Sequence, residues 1–248
     1  MKPSTPIRGS RRSPEQSQRA ILDAAAREFA AEGVAGARTE SIAKAAGVNK
    51  ALLYYYFHDK EGLYGAVLHD VLGDLLDQLT GIFESDRPAR YRVLAYAATH
   101  FNFVASHPEY RRLLQFEMMR AGAGSSPHFP KLVEVFFRPL TMRATKLIQE
   151  GIQSGEFRPV QPQQFLQSIV GVIVFYFVAL PVMRAMMPVD PVSPAALQER
   201  RSAVLDFVSG ALFLDRPSAA QFIAEVNRDV APAVQQSGPT TGKRGKKR

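Results

Sequence analysis

The residues best suited to chemistry lie in one run, Asn49-Lys50-Ala51-Leu52-Leu53-Tyr54-Tyr55-Tyr56-Phe57, followed shortly by Lys60-Glu61. On a helix turning roughly 100° per residue with Leu53 inward, Tyr56 and Phe57 fall beside it, while Ala51, Leu52, Tyr54 and Tyr55 point away. A merely solvated face does not normally place two tyrosines beside a leucine, so this one expects a partner. The chemistry on offer is non-covalent recognition of DNA. Tyrosine hydroxyls can bond phosphates or base edges, small Ala51 permits close approach, Leu52 can meet a thymine methyl, and Lys50 reaches either target. Lys60 adds its charge to the free N–H groups of a following helix, a combination that suits one phosphate. The alternative is a structural three-helix unit whose tyrosines pack on a neighbour.

Covalent chemistry is poorly represented. With no cysteine, a disulfide framework, thiolate catalysis and zinc–thiolate sites are excluded. There is no P-loop, no Gly-x-Gly-x-x-Gly and no His-Glu-x-x-His, and the five histidines are not at ligand spacing. The chain is therefore expected not to be an enzyme, with no catalytic residues, no metal and no cofactor.

Two short helices must position the run. Gly47 ends the first without a side-chain penalty, and Asn49 caps the second. Val48 and Leu53 occupy the positions of a hydrophobic staple. Together these make a helix-turn-helix. Thr39 is the expected N-cap of its first helix, with Ile42, Ala43 and Ala46 inward. A preceding helix should open at Ser13-Pro14-Glu15-Gln16, a capping box with proline at the first helical position, and bury Ile21, Leu22, Ala25, Ala26 and Phe29 until Gly33 and Gly36 stop it. From Asp59 a longer helix is marked by Leu63, Val67, Val71, Leu72 and Leu75. Further helices are expected near 88–106, 108–121, 128–154, 162–187 and 194–214, separated by proline- and glycine-containing stretches. Strand signals are scarce, so the fold class is all-α: an N-terminal three-helix helix-turn-helix domain and a larger helical regulatory and dimerisation domain.

Residues 15–68 resemble the DNA-binding domain of the TetR/AcrR family, through Gly47-Val48, Leu53-Tyr54-Tyr55-Tyr56-Phe57 and Lys60-Glu61. The resemblance implies that Tyr54 and Lys60 anchor phosphates and that Lys50 and Tyr55 lie toward the bases. Asn49, Ala51 and Leu52 stand where serine, glycine and threonine are common in the family, so no relative's operator carries over. Arg38 is a further phosphate candidate and equally an ordinary exposed arginine, and Thr39 and Asn49 join Arg38, Lys50, Ala51, Leu52, Tyr54, Tyr55 and Lys60 as the expected DNA contacts. Beyond residue 70 the resemblance implies a helical domain that dimerises through its last two helices and binds a small molecule among the others. Tyr96, His100, Phe103, Gln115, Met119, Phe137 and Tyr176 are the pocket candidates, each also readable as ordinary core. The implied partners are a palindromic double-stranded DNA operator, a second copy of the chain and an unidentified effector.

The 248 residues are 46% hydrophobic and 22% charged, enough to bury a sizeable core. Lys2, Arg8, Arg11 and Arg12 at one end and Lys243, Arg244, Lys246, Lys247 and Arg248 at the other exceed the formal net charge of +8. The basic balance thus belongs to two arms, either solvated or drawn to phosphate; Arg8, Arg11 and Arg12 could enter a minor groove. The organisation expected is an arm over 1–12, a DNA-binding domain over 13–65, a ligand-binding and dimerisation domain over 66–228 and a basic tail over 229–248. No signal peptide is recognisable, and a cytoplasmic, nucleoid-associated location is expected. The apolar stretch Phe165 to Met183 nearly reaches the roughly 20 residues of a membrane span. Its glutamine-rich start and Pro181 instead favour a helix packed between its own domain and a partner subunit, with no membrane partner. The 194–214 helix, with Leu197, Val204, Leu205, Val208, Leu212 and Phe213, would complete a four-helix interface. A non-enzymatic helical interaction protein with sequence-independent DNA affinity is the alternative reading.

Overall fold

The computed structural model describes residues 13–232. The basic arms expected over 1–12 and most of 229–248 lie outside that range. The described chain is all-α, with one isolated antiparallel bridge between Phe157 and Phe213. The described residues divide into two compact units: 13–71 with Arg112–Ser126, and Leu72–Arg111 with 127–232.

In the first unit α1 (Pro14–Gly36) starts on the capping box: Ser13 Oγ accepts from the Gln16 N–H at 3.2 Å, and Gln16 Oε1 accepts from the Ser13 N–H at 3.0 Å. Gly33, at φ 65°, breaks the helical path, a conformation costly for a residue with a Cβ. Ile21, Ala25, Phe29, Ile42, Ala43, Ala46, Leu53, Leu63 and Tyr64 are buried, and the Phe29 and Tyr64 rings meet edge-on at 5.1 Å. α2 (Thr39–Ala46) ends at Gly47 in the left-handed region, and α3 (Lys50–Phe57) begins two residues on. Thr39 does not cap α2. Arg38 holds the cap position without a side-chain bond, and Thr39 is buried inside the first turn with its hydroxyl near Tyr54 and Glu40. α4 (Lys60–Phe83) carries the chain onward.

The second unit is built around α5 (Ala89–Ser106), whose residues are buried on nearly every side because α8, α9, α11 and α12 all pack against it. α6 (Pro108–Gly122) follows in the chain and from Arg112 onward belongs to the first unit. The single helix expected over 128–154 is instead α7 (Phe129–Leu132), a π-helical stretch over Val133–Phe137 and α8 (Arg138–Gln153). Pro139 explains the change, because it cannot donate to the carbonyl four residues back and the ladder widens before it. The helix expected over 162–187 is likewise α9 (Pro162–Val178) and α10 (Leu180–Met186), bent by 58° where Pro181 removes an N–H. Among the described residues no single helix is long and apolar enough to cross a membrane.

α11 (Pro194–Leu212) starts on the Ser193 side chain and turns Leu197, Val204, Leu205, Val208, Leu212 and Phe213 inward, so this stripe is core rather than an available interface. α12 (Ala219–Asp229) is a helix that sequence patterning does not suggest. It docks on α5, with the Tyr91 hydroxyl donating to Asp229 at 2.8 Å and Arg87 donating to Glu225 at 2.5 Å. The chain remains tied to Ala231, whose carbonyl accepts from Asn102 at 2.7 Å.

Candidate nucleic-acid interface

Two caps set the direction of α3. Gly47, at φ 67° and ψ 36°, reverses the chain after α2, and Asn49 Oδ1 accepts from the Leu52 N–H at 2.7 Å. Leu53 then anchors the helix, fully buried, with Tyr56 and Phe57 half-buried beside it. The opposite face carries Lys50, Ala51, Tyr54 and Tyr55, all exposed, with Tyr55 76% accessible. Leu52 is half-buried at its edge. A face with one cation, a small residue and two phenols suits a groove edged by phosphates.

The side chains on that face are partly engaged. Lys50 donates to the Glu40 carboxylate and lies 5.6 Å from the centre of the Tyr54 ring. This hydrogen bond is the main reason the Glu40 carboxyl sits below its ordinary range and the Lys50 ammonium above its own. The Tyr54 hydroxyl is 3.3 Å from Thr39 Oγ1, so Thr39, although buried, orients a residue of the exposed face. Arg38 is exposed, and its N–H donates to Glu28 at 3.1 Å.

Lys60 is placed differently from the other candidates. It is half-buried, and its ammonium donates to the carbonyls of Ala35 at 3.1 Å and Ala37 at 3.2 Å. An ammonium has three donors, so two tie α4 to the end of α1 and one remains. Sequence reasoning does not reveal this staple, nor the role of Glu40, since both partners come from other helices. It also misses Arg120, which donates to Glu61 at 2.7 Å, lies over the Tyr64 ring and reaches the fully buried Glu117 at 3.9 Å. That cluster ties the start of α4 to α6. Burial, followed by the Glu117 charge, pushes the Tyr64 hydroxyl above its usual range.

The pocket candidates divide between the units. Tyr96, His100 and Phe103 lie in the α5 core, the Tyr96 and His100 rings 5.8 Å apart. Phe137 and Tyr176 are half-buried in the same unit, and the Tyr176 hydroxyl donates to the Pro191 carbonyl at 2.6 Å. Gln115 and Met119 belong to the first unit and are exposed. Among the described residues no three metal-ligating side chains cluster.

Comparison with known proteins agrees with this geometry. Residues 21–67 match the family described as bacterial regulatory proteins, tetR family, and residues 91–208 match the tetracyclin repressor-like C-terminal domain. The HTH-type transcriptional repressor SCO4008 of Streptomyces coelicolor is 30% identical over 183 residues, 71% of this chain and 85% of that protein. Two solved structures share the fold. FadR from Bacillus subtilis in complex with stearoyl-CoA has a TM-score of 0.59 at 22% identity, covering 75% of this chain and 97% of that one. A transcriptional regulator from Saccharomonospora viridis in complex with choline has a TM-score of 0.66 at 15% identity, covering 81% and 100%. A capped helix-turn-helix presenting tyrosines, matched family domains on both sides of residue 70 and a relative aligned over most of its length lead to one assignment: the chain is a DNA-binding transcriptional regulator of the TetR family.

Proposed function

We propose that the chain is a homodimeric, sequence-specific repressor that binds a palindromic operator in the cytoplasm and leaves it when a small-molecule effector binds the larger unit. The observation that carries this reading is the exposed face of α3, where Lys50, Ala51, Tyr54 and Tyr55 stand together on a helix whose other side is locked into the core. In a dimer, two such helices enter successive major grooves about 34 Å apart, and an effector acts by favouring the state in which that spacing is lost.

Dimerisation is supported by a second surface. Phe175 and Val178 on α9, Val182 and Met186 on α10, and Phe207 on α11 are all exposed, and α9 and α11 are neighbours. Large exposed apolar side chains on adjoining helices suit burial against a second copy. The neighbours in complex with stearoyl-CoA and with choline support a small-molecule effector.

Selection of bound DNA from a random oligonucleotide pool at about 0.15 M salt tests the proposal, since exposed electrostatics are then substantially screened. One palindromic motif is the expected result. Binding without sequence preference that vanishes as salt rises would overturn it.

A further inference from the structure

A cavity of about 230 Å³ in the second unit is lined mainly by charged side chains. It lies among the end of α4, α5 and α8, with Phe83 and Leu147 as apolar walls, and Arg92, Arg143, Lys146, Glu84 and Glu150 as charged ones. Three cations face two carboxylates, and the pairing is uneven. Glu150 serves two of the cations, accepting from Arg92 Nη2 at 2.9 Å and lying 3.7 Å from Lys146.

Arg143 has no carboxylate within ion-pair distance among the described residues. Its one hydrogen bond runs from Nη1 to Thr80 Oγ1 at 3.3 Å, and Thr80 in turn donates to the Leu76 carbonyl at 2.8 Å. A guanidinium carries five N–H donors in a planar fork, so most of the capacity of this half-buried group is unused by protein. Arg92 is the more enclosed, 15% exposed; Nη1 donates to the Phe83 carbonyl at 3.2 Å, while Nε is buried without an acceptor.

We infer that this cavity binds the oxyanion group of a small molecule, a carboxylate or a phosphate, with Arg143 as its principal partner and Lys146 and Arg92 completing the charge. An anion gains the strong charge-assisted bonds that planar arginine donors make with such groups. A cation would meet Arg143 with no compensating charge. Glu84 has no cation partner among the described residues, but it is exposed to solvent, whereas the half-buried arginine stands to gain more from an acceptor. The volume lies below the roughly 300–1,000 Å³ of a site for a whole drug-sized ligand, which suits a small anion or the head of a larger molecule. That this anion is the effector rests on the regulatory reading above. Its binding site does not.

Calorimetry on the full chain without DNA, at constant ionic strength in chloride, tests the site. The probes are inorganic phosphate, hexanoate and hexylammonium, with wild type, Arg143→Gln and Lys146→Gln compared. One or both anions should bind wild type at millimolar concentration, and the one that binds identifies the oxyanion class. Arg143→Gln should weaken it at least tenfold and Lys146→Gln about threefold. Lys146 is 76% exposed, so its substitution leaves the fold intact and serves as the second variant. Absence of binding by both anions, equal binding by hexylammonium, or unchanged affinity in both variants would overturn the inference. The oligonucleotide selection, run without added anion, decides the regulatory reading separately.

Discussion

At the scale of single residues, Lys50 has two claimants. In the free protein it is held by Glu40, and both side chains are exposed, so a phosphate must displace the carboxylate and approach close to its negative charge. Glu40→Gln removes that competition. We expect DNA of any sequence to bind about three- to tenfold more tightly at low salt, with the gain shrinking as salt rises. Fluorescence anisotropy at two salt concentrations measures this, and unchanged affinity would mean that the pair and DNA do not compete. The direction of Lys50, Tyr54 and Tyr55 was legible from helical periodicity alone. Glu40 and the carbonyls that hold Lys60 were not, because those contacts cross between helices and leave no periodic trace.

His100 supports a second prediction at this scale. It is fully buried against Tyr96, its Nδ1 has no partner, and desolvation lowers its pKa from 6.5 to about 4. Between those values the unfolded chain takes a proton that the folded chain refuses. The stabilising contribution is therefore complete above pH 6.5 and is lost as the pH falls toward 4. The loss is on the order of 3 kcal/mol. Urea unfolding at neutral pH and near pH 4 should show a smaller decrease for His100→Gln, whose amide does not titrate, than for wild type; parallel decreases would remove His100 from the account.

At the scale of elements, the joint between α3 and α4 is only His58 and Asp59. His58 sits at φ 65° and ψ −56°, and the Asp59 N–H donates to the Phe57 carbonyl at 2.8 Å, a strained γ-turn. The Phe57 carbonyl also approaches α4 so closely that a Cβ on Gly62 would lie 2.5 Å from its oxygen. Gly62→Ala must push that backbone away, which we expect to cost about 1–3 kcal/mol and to weaken DNA binding by turning α3. His58→Gly should be tolerated, because relief of about 1–2 kcal/mol offsets an added chain-entropy cost of about 0.5–1 kcal/mol. Denaturant unfolding with DNA titration separates the two variants, and a Gly62→Ala protein that binds like wild type would show that the joint does not aim α3. The caps at Ser13, Gly47 and Asn49 were legible because their chemistry is local. The break before Pro139, the bend at Pro181 and α12 were not: apolar runs conceal the first two, and α12 is a short helix without a side-chain cap whose stability comes from docking on α5.

At the scale of the whole molecule, the all-round apolar character of α9 was legible in the sequence, but which residues of α9, α10 and α11 stay on the exposed surface was not. α11 turns its conspicuous stripe into the core and leaves Phe207 outside, while α9 and α10 leave out Phe175, Val178, Val182 and Met186. Composition cannot separate these sets, since both are apolar and differ only in which side faces the neighbouring helices. Phe175, 69% exposed, contributes little to its own unit, so Phe175→Glu should leave thermal stability nearly unchanged. Placed at an apolar interface between copies, however, the introduced carboxylate would be desolvated without a partner, and dimers should dissociate. The two α3 helices would then no longer be linked, so binding to a full palindrome should fall at least about a hundredfold, while affinity for an isolated half-site stays the same. Sedimentation reads the oligomeric state and anisotropy reads both DNA affinities. A Phe175→Glu protein that remains dimeric would place the contact between copies on another face, whereas a monomer that keeps full palindrome affinity would separate operator recognition from dimerisation altogether.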